Sequence, residues 1–206
     1  MRKLILFMHM SLDGYVADKG SGWTTTAPGL FGSAVPAFTK KSDTLFLGRV
    51  VSDDLLGYWL HAEAREKGLA KGEIAYARWA TKAHKVIISK VDEKPNWENA
   101  EVRIVKSDKD MVRVVSTLKK RAGKDMIVHG GVRTARQLTR LDLIDQYQLV
   151  VHPVLLGKGL SIFDSLKRRR PLKLARVEDL KDGVLLLVYL PADGGAPRKS
   201  RRSRKS

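Results

Sequence analysis

Apolar residues along this chain follow two alternating rhythms. Short, nearly continuous apolar runs bounded by Gly, Asp or Ser mark buried strands, whereas apolar residues at i, i+3, i+4 and i+7 mark helices with one buried stripe. Arg2–Met10, Thr44–Leu47, Lys85–Ile88, Val102–Val105 and Gln146–Leu156 read as strands, and Glu73–Lys82 reads as a helix. After Ser107-x-x-Asp110, which has the form of a capping box, Met111, Val114, Val115 and Leu118 lie on one helical stripe. Asp13–Pro28, rich in Gly and Thr, reads as a loop, and the aromatic residues of Leu55–Ala64 fix neither period. At Met126–Leu138 an apolar run breaks at Gly130-Gly131 and resumes as an amphipathic helix, the pattern of strand, tight turn and helix start. The closing runs Leu172–Leu180 and Val184–Leu190 meet at Lys181-Asp182-Gly183, where Asp-Gly signals a tight hairpin.

Early alternation of strand and helix builds parallel strands by crossover, and the final hairpin adds antiparallel ones, so the pattern predicts a three-layer α/β domain with a mixed sheet. In such sheets ligands sit beyond the carboxyl ends of the strands. The positions to search are therefore Ser11–Gly14, Gly48-Arg49, Ser89-Lys90 and His129–Thr134.

Composition narrows the class. With 206 residues and 43% hydrophobic content the chain suits one well-buried domain, and no apolar run approaches the roughly 18–20 residues needed to cross a bilayer. Leu4–Met8 follows Arg2-Lys3 but ends at His9 and Ser11–Gly14, too early for a secretory signal, which points to a cytoplasmic protein. Zero cysteines exclude disulfides and thiolate chemistry. The five histidines show no H-x-x-x-H spacing, so no metal site is expected, and His129 reads as a hydrogen-bonded strand end.

Net charge is +17, and six of the cationic side chains fall in Ala196–Ser206, which holds no acid. The division expected is a domain over residues 1–191 and a disordered basic tail over 192–206. Phosphate contacts from such a tail suit RNA or DNA, a solubility role suits it equally, and no aromatic residue is interleaved to stack bases.

The strand ends share a chemistry. Gly48-Arg49 offers close backbone approach and a guanidinium, Ser89-Lys90 a hydroxyl and an ammonium, and Gly130, Gly131, Val132, Arg133 and Thr134 a helix N-terminus whose amides point at an anion. Three convergent cationic sites suit a pyrophosphate with an extra phosphate, hence NADPH. Asp13 reads either as a turn residue or as an acceptor of hydrogen bonds from a substrate's amino groups or hydroxyls, and Trp23, Tyr58 and Trp59 as stacking groups or core cover.

The residues that carry a family resemblance are Ser11-Leu-Asp-Gly14, Gly48-Arg49, Val86-Ile-Ile-Ser89, His129-Gly-Gly131 and the stretches Leu143–Tyr147 and Pro153–Phe163. In order and spacing, over about residues 1–190, they resemble the dihydrofolate-reductase-like superfamily, in the branch similar to the C-terminal reductase domain of bacterial riboflavin biosynthesis proteins. The resemblance implies an α/β/α fold, a homodimer and an NADPH-dependent reductase of a small pyrimidine, pteridine or related heterocycle. One such substrate is 5-amino-6-(5-phosphoribosylamino)uracil. It implies that Gly48, Arg49, Ser89 and Lys90 flank the adenosine phosphates, that Gly130–Thr134 receive the pyrophosphate, and that Gly130 and Gly131 are joined by a cis peptide. Lys19–Ser42 contains no Asp or Glu, unlike the folate-reducing members, which makes dihydrofolate an unexpected substrate. A zinc deaminase activity is not expected without cysteine. The alternative is a nucleic-acid-associated protein on a retired reductase scaffold.

Overall fold

The computed structural model describes residues 1–17, 29–52, 69–93, 95, 97–129 and 131–192. Eight strands form one sheet: β1 (Leu4–Ser11), β2 (Ser42–Gly48), β3 (His84–Ser89), β4 (Ala100–Ile104), β5 (Asp125–His129), β6 (Gln146–His152), β7 (Leu172–Asp179) and β8 (Leu185–Pro191). Their order is β4-β3-β2-β5-β1-β6-β8-β7. The first six are mutually parallel and β8 runs antiparallel to both β6 and β7, so the expected mixed, mostly parallel sheet with a terminal hairpin is present.

Helices cover the two faces. A π-helical turn, Leu30–Ala34, runs into α1 (Val35–Thr39), and α2 spans Lys71–Lys82. Both pack with Ile5, Phe7, Leu45, Leu47, Ile127 and Val150 on one face. The other face carries α3 (Asp108–Lys120) and α4 (Val132–Arg140), which bury Met111, Val115, Leu118, Ala135 and Leu138 against Leu4, Leu6, Met8, Phe46, Met126 and Val128. Alternation along β1 and β5 feeds both cores, because successive strand residues point to opposite faces.

Local signals act as the sequence implies. The Ser107 hydroxyl accepts from the Asp110 amide at 3.2 Å while the Asp110 carboxylate accepts from the Ser107 amide at 3.0 Å, closing the capping box of α3. The hairpin turn places Lys181, Asp182 and Gly183 all at positive φ, a conformation Asp and Gly tolerate. Two boundaries differ from the sequence pattern. β6 stops at His152 because Pro153 ends the strand's ladder, and the helical turn at Leu30–Thr39 appears where the pattern assigns no element. Leu55–Ala64, the Gly130–Gly131 peptide and the basic tail beyond residue 192 lie outside the described residues.

Candidate active site

Because β1 through β6 run parallel, their carboxyl ends share one rim. Along it the exits follow in the order Ile104, Ser89, Gly48, His129, Ser11 and His152. Three of the predicted anion-binding turns, after β3, β2 and β5, are therefore immediate neighbours, and the Ser11–Gly14 turn is next.

The middle of this rim is built by close approach. Gly131 adopts φ +79 and caps α4 in the left-handed region, with no side chain capping the helix. Its first amides point outward from the rim, where the helix dipole favours an anion. A Cβ on Gly48 would stand 2.6 Å from the Thr134 hydroxyl, and one on Gly131 would stand 3.3 Å from the Val51 side chain. Gly48 thus lets the end of β2 lie against Thr134 of α4, and Gly131 supplies the positive φ at the start of that helix. Thr134 is buried there, Val132 is half-buried and Arg133 is exposed. Gly130 lies outside the described residues, as do Trp23, Tyr58 and Trp59.

On the β3 side, Arg49 pairs with Glu93, and both side chains are well exposed. This ion pair links the exits of β2 and β3. Ser89 is buried, its hydroxyl accepting from the Val91 amide at 3.1 Å, and Lys90 is exposed beside it. Sequence reading did not single out Glu93. Its position four residues beyond Ser89, in the same exit turn, was the available signal.

On the β1 side, Asp13 accepts from the Ser11 hydroxyl at 2.6 Å, from the Gly157 amide at 2.7 Å and from the Leu156 amide at 3.1 Å. Those bonds, the Ser11 hydroxyl first, hold its carboxyl below the usual range. The carboxylate therefore fastens the turn after β1 to the turn after β6, and an ionised carboxylate with about four acceptor positions keeps part of its capacity for a ligand. These bonds show Asp13 as a turn residue that ties two distant loops together.

Next to Asp13 the rim carries histidines. His9 Nδ1 lies 2.8 Å from His152 Nε2, and His129 Nδ1 lies 3.4 Å from the Tyr76 hydroxyl. Burial pushes the His129 imidazole down to about 4, and burial followed by the charges of His152 and His129 pushes His9 down to about 3. His152 is also lowered by burial. Of these, sequence reading weighed only His129 for the rim. His9 and His152 are 143 residues apart, and only strand register shows that they meet.

Residues 2–186 match the RibD C-terminal domain family. The chain belongs to that family. The RibD C-terminal domain match spans β1 to β7 and the first two residues of β8, and ends before the basic tail. Among sequence relatives, the uncharacterized protein YyaP of Bacillus subtilis is 28% identical over 193 residues, covering 91% of this chain and 94% of YyaP. Among solved structures, the chain is similar to the diaminohydroxyphosphoribosylaminopyrimidine deaminase/5-amino-6-(5-phosphoribosylamino)uracil reductase of Thermotoga maritima, with TM-score 0.63 and 19% identity over 93% of this chain and 57% of that one. It is also similar to dihydrofolate reductase from Enterococcus faecalis, complexed with NADP(H), with TM-score 0.53 and 12% identity over 93% of this chain and 97% of that one. At these identities the structures establish the dihydrofolate-reductase-like fold. Both of these solved structures are named as reductases.

Proposed function

We propose that the protein is an NADPH-dependent reductase that transfers a hydride to a small pyrimidine, pteridine or related heterocycle. The observation that carries this reading is the adjacency of three anion-suited exits, Ser89-Lys90, Gly48-Arg49 and Gly131–Thr134, on neighbouring strands of one rim. The missing Cβ of Gly48 lets the first turn of α4 sit against the end of β2, so the helix amides stand beside the Gly48-Arg49 exit, an arrangement that suits a dinucleotide's phosphates.

In this reading Gly130, Gly131, Val132, Arg133 and Thr134 seat the pyrophosphate, and Arg49 with Ser89 and Lys90 takes the extra phosphate of the adenosine half. The Arg49–Glu93 pair is exposed on both sides, so exchanging the carboxylate for a phosphate costs about 0–1 kcal/mol. NADPH, when bound, supplies the hydride to an electrophilic C=N or C=O of the substrate. Asp13 orients the substrate end by holding the two turns together and by offering its remaining acceptor capacity, with water as proton source. Trp23, Tyr58 and Trp59 are the candidates to cover the substrate ring. No covalent nucleophile is required, because positioning and electrostatics carry hydride transfer.

The protein acts as a homodimer in this reading, through β7. That edge strand exposes Leu172, Leu174 and Val177. A register shift between Leu174 and Arg176 puts Leu174 and Val177 on one face of β7, and antiparallel pairing of two copies about Arg176 sets Leu174 opposite Val177 and Lys173 opposite Glu178. Titration of the purified full chain with NADPH and NADH, followed by cofactor fluorescence, tests the central claim. Micromolar NADPH binding is expected, and its absence for both cofactors would remove the reductase reading.

A further inference from the structure

Three histidines unused in this chemistry form a row across the sheet. His129 ends β5, His9 lies in β1 and His152 ends β6, and these strands are neighbours in that order. Register sets Phe7 beside His129 and Ser11 beside His152. Since alternate strand residues share a face, all three imidazoles lie on the side covered by α1 and α2. Their rings form a continuous array. His129 stacks on Phe7 at 5.8 Å, Phe7 meets His9 edge-on at 5.7 Å, and His9 stacks on His152 at 5.1 Å.

The array has a bonded side and an unbonded side. Nδ1 of His9 is bonded by His152, and Nδ1 of His129 faces Tyr76. Both rings are half-buried, and Nε2 of each has no partner among the described residues. His129 directly precedes the glycine corner, so the row starts where the cofactor rim ends.

With both imidazoles held far below their ordinary pKa of 6.5, the row is uncharged at neutral pH. A neutral imidazole carries one N–H and one lone pair, so whatever occupies Nδ1 decides whether Nε2 donates or accepts. Such a surface complements a neutral heterocycle edge bearing carbonyl or amino groups. A carboxylate or phosphate would instead require cations there.

We propose that His9 and His129 contact the substrate through Nε2, selecting an uncharged planar nitrogen heterocycle, and that His152 is a positioning residue that fixes the tautomer of His9. The subsite deepens the reductase reading but is separable from it, because it involves no cofactor-binding residue.

Long-range proton–nitrogen NMR of the histidine rings in the full chain tests this, with and without NADPH. Uracil and cytosine serve as neutral ring probes and benzoate as the anionic control. A neutral ring is expected to shift Nε2 of His9 and His129, and His9→Phe is expected to weaken its binding about ten-fold while leaving NADPH affinity within about two-fold. His152→Phe is expected to change the His9 tautomer, with a smaller loss of ring affinity. The proposal is overturned if neither neutral ring moves these nitrogens at millimolar concentration, if benzoate moves them more, or if His9→Phe binds the ring as the parent protein does. Should a variant fail to fold, the shifts in the parent protein decide alone. Ring binding without NADPH binding would remove the reductase reading and keep the subsite, and NADPH binding without ring shifts would do the reverse.

Discussion

Gly48 and Thr134 pack so closely that a methyl group on the glycine would lie 2.6 Å from the threonine hydroxyl. Gly48→Ala therefore forces the Thr134 side chain, in the first turn of α4, to give way. The expected cost is about 1–3 kcal/mol of stability from overpacking. NADPH affinity is expected to fall roughly ten-fold, because the helix amides shift from the phosphate seat. Urea unfolding and cofactor titration read the two effects separately, and an unchanged NADPH affinity would remove α4 from the cofactor site.

Arg49 is expected to distinguish the two nicotinamide cofactors. Losing a charge-assisted contact to the extra phosphate costs about 1.5–3 kcal/mol, so Arg49→Ala should weaken NADPH roughly ten- to one-hundred-fold and NADH far less. Glu93→Gln should act in the opposite sense. It frees the guanidinium from an exposed partner and tightens NADPH by roughly two- to five-fold. Equal losses for both cofactors would remove Arg49 from the phosphate site.

Acid should destabilise the fold before carboxylates titrate. His129 and His9 have native values of about 4 and about 3 against an ordinary 6.5, so between pH 6.5 and about 4 the unfolded chain takes up protons that the native protein refuses. Stability from these groups is complete above pH 6.5 and is lost as pH falls, by up to about 1.4 kcal/mol per pH unit for each imidazole. Urea midpoints measured across pH 4–7 should fall steeply, and His9→Phe should flatten part of the slope.

Lys85 behaves in the opposite pH range. Its side chain is buried, donates to the Thr81 carbonyl and lies 4.5 Å over the Trp97 ring, and burial lowers its amine to about 8. From pH 8 to 10 the native protein sheds a proton that the unfolded chain keeps, so this group's contribution rises with pH. The stability of the parent protein relative to Lys85→Met is expected to increase over that interval. A constant difference would show that Lys85 keeps its charge.

Pairing through β7 predicts that Val177→Lys, which places a charge in the Leu174–Val177 contact, yields a monomer without loss of fold. Sedimentation of the full chain checks this. A parent protein that is already monomeric at micromolar concentration would remove the dimer.

The strands, the capping box of α3 and the terminal hairpin were legible because each is written in neighbouring residues. Ser107 and Asp110 are three positions apart, and Asp182-Gly183 form the turn themselves. The rim turns were legible for the same reason, as strand ends followed by Gly, Arg, Ser or Lys. What lay hidden depends on register between distant segments. Asp13 reads as an isolated turn residue until Leu156 and Gly157 arrive beside it, and the His9–His152 contact requires β1 and β6 to align Ser11 with His152. Lys85 reads as the polar start of a strand, and only the fold lays Trp97 over it.

The sheet order also sets a timetable for assembly. β1 occupies the middle of the sheet, yet both of its neighbours lie more than a hundred residues further along the chain. During synthesis this almost wholly apolar strand must wait unpaired until β5 and β6 emerge, a delay that favours mispairing and chaperone capture. The rim is consequently complete only once β6 has emerged, and no shorter fragment ending before β6 holds it.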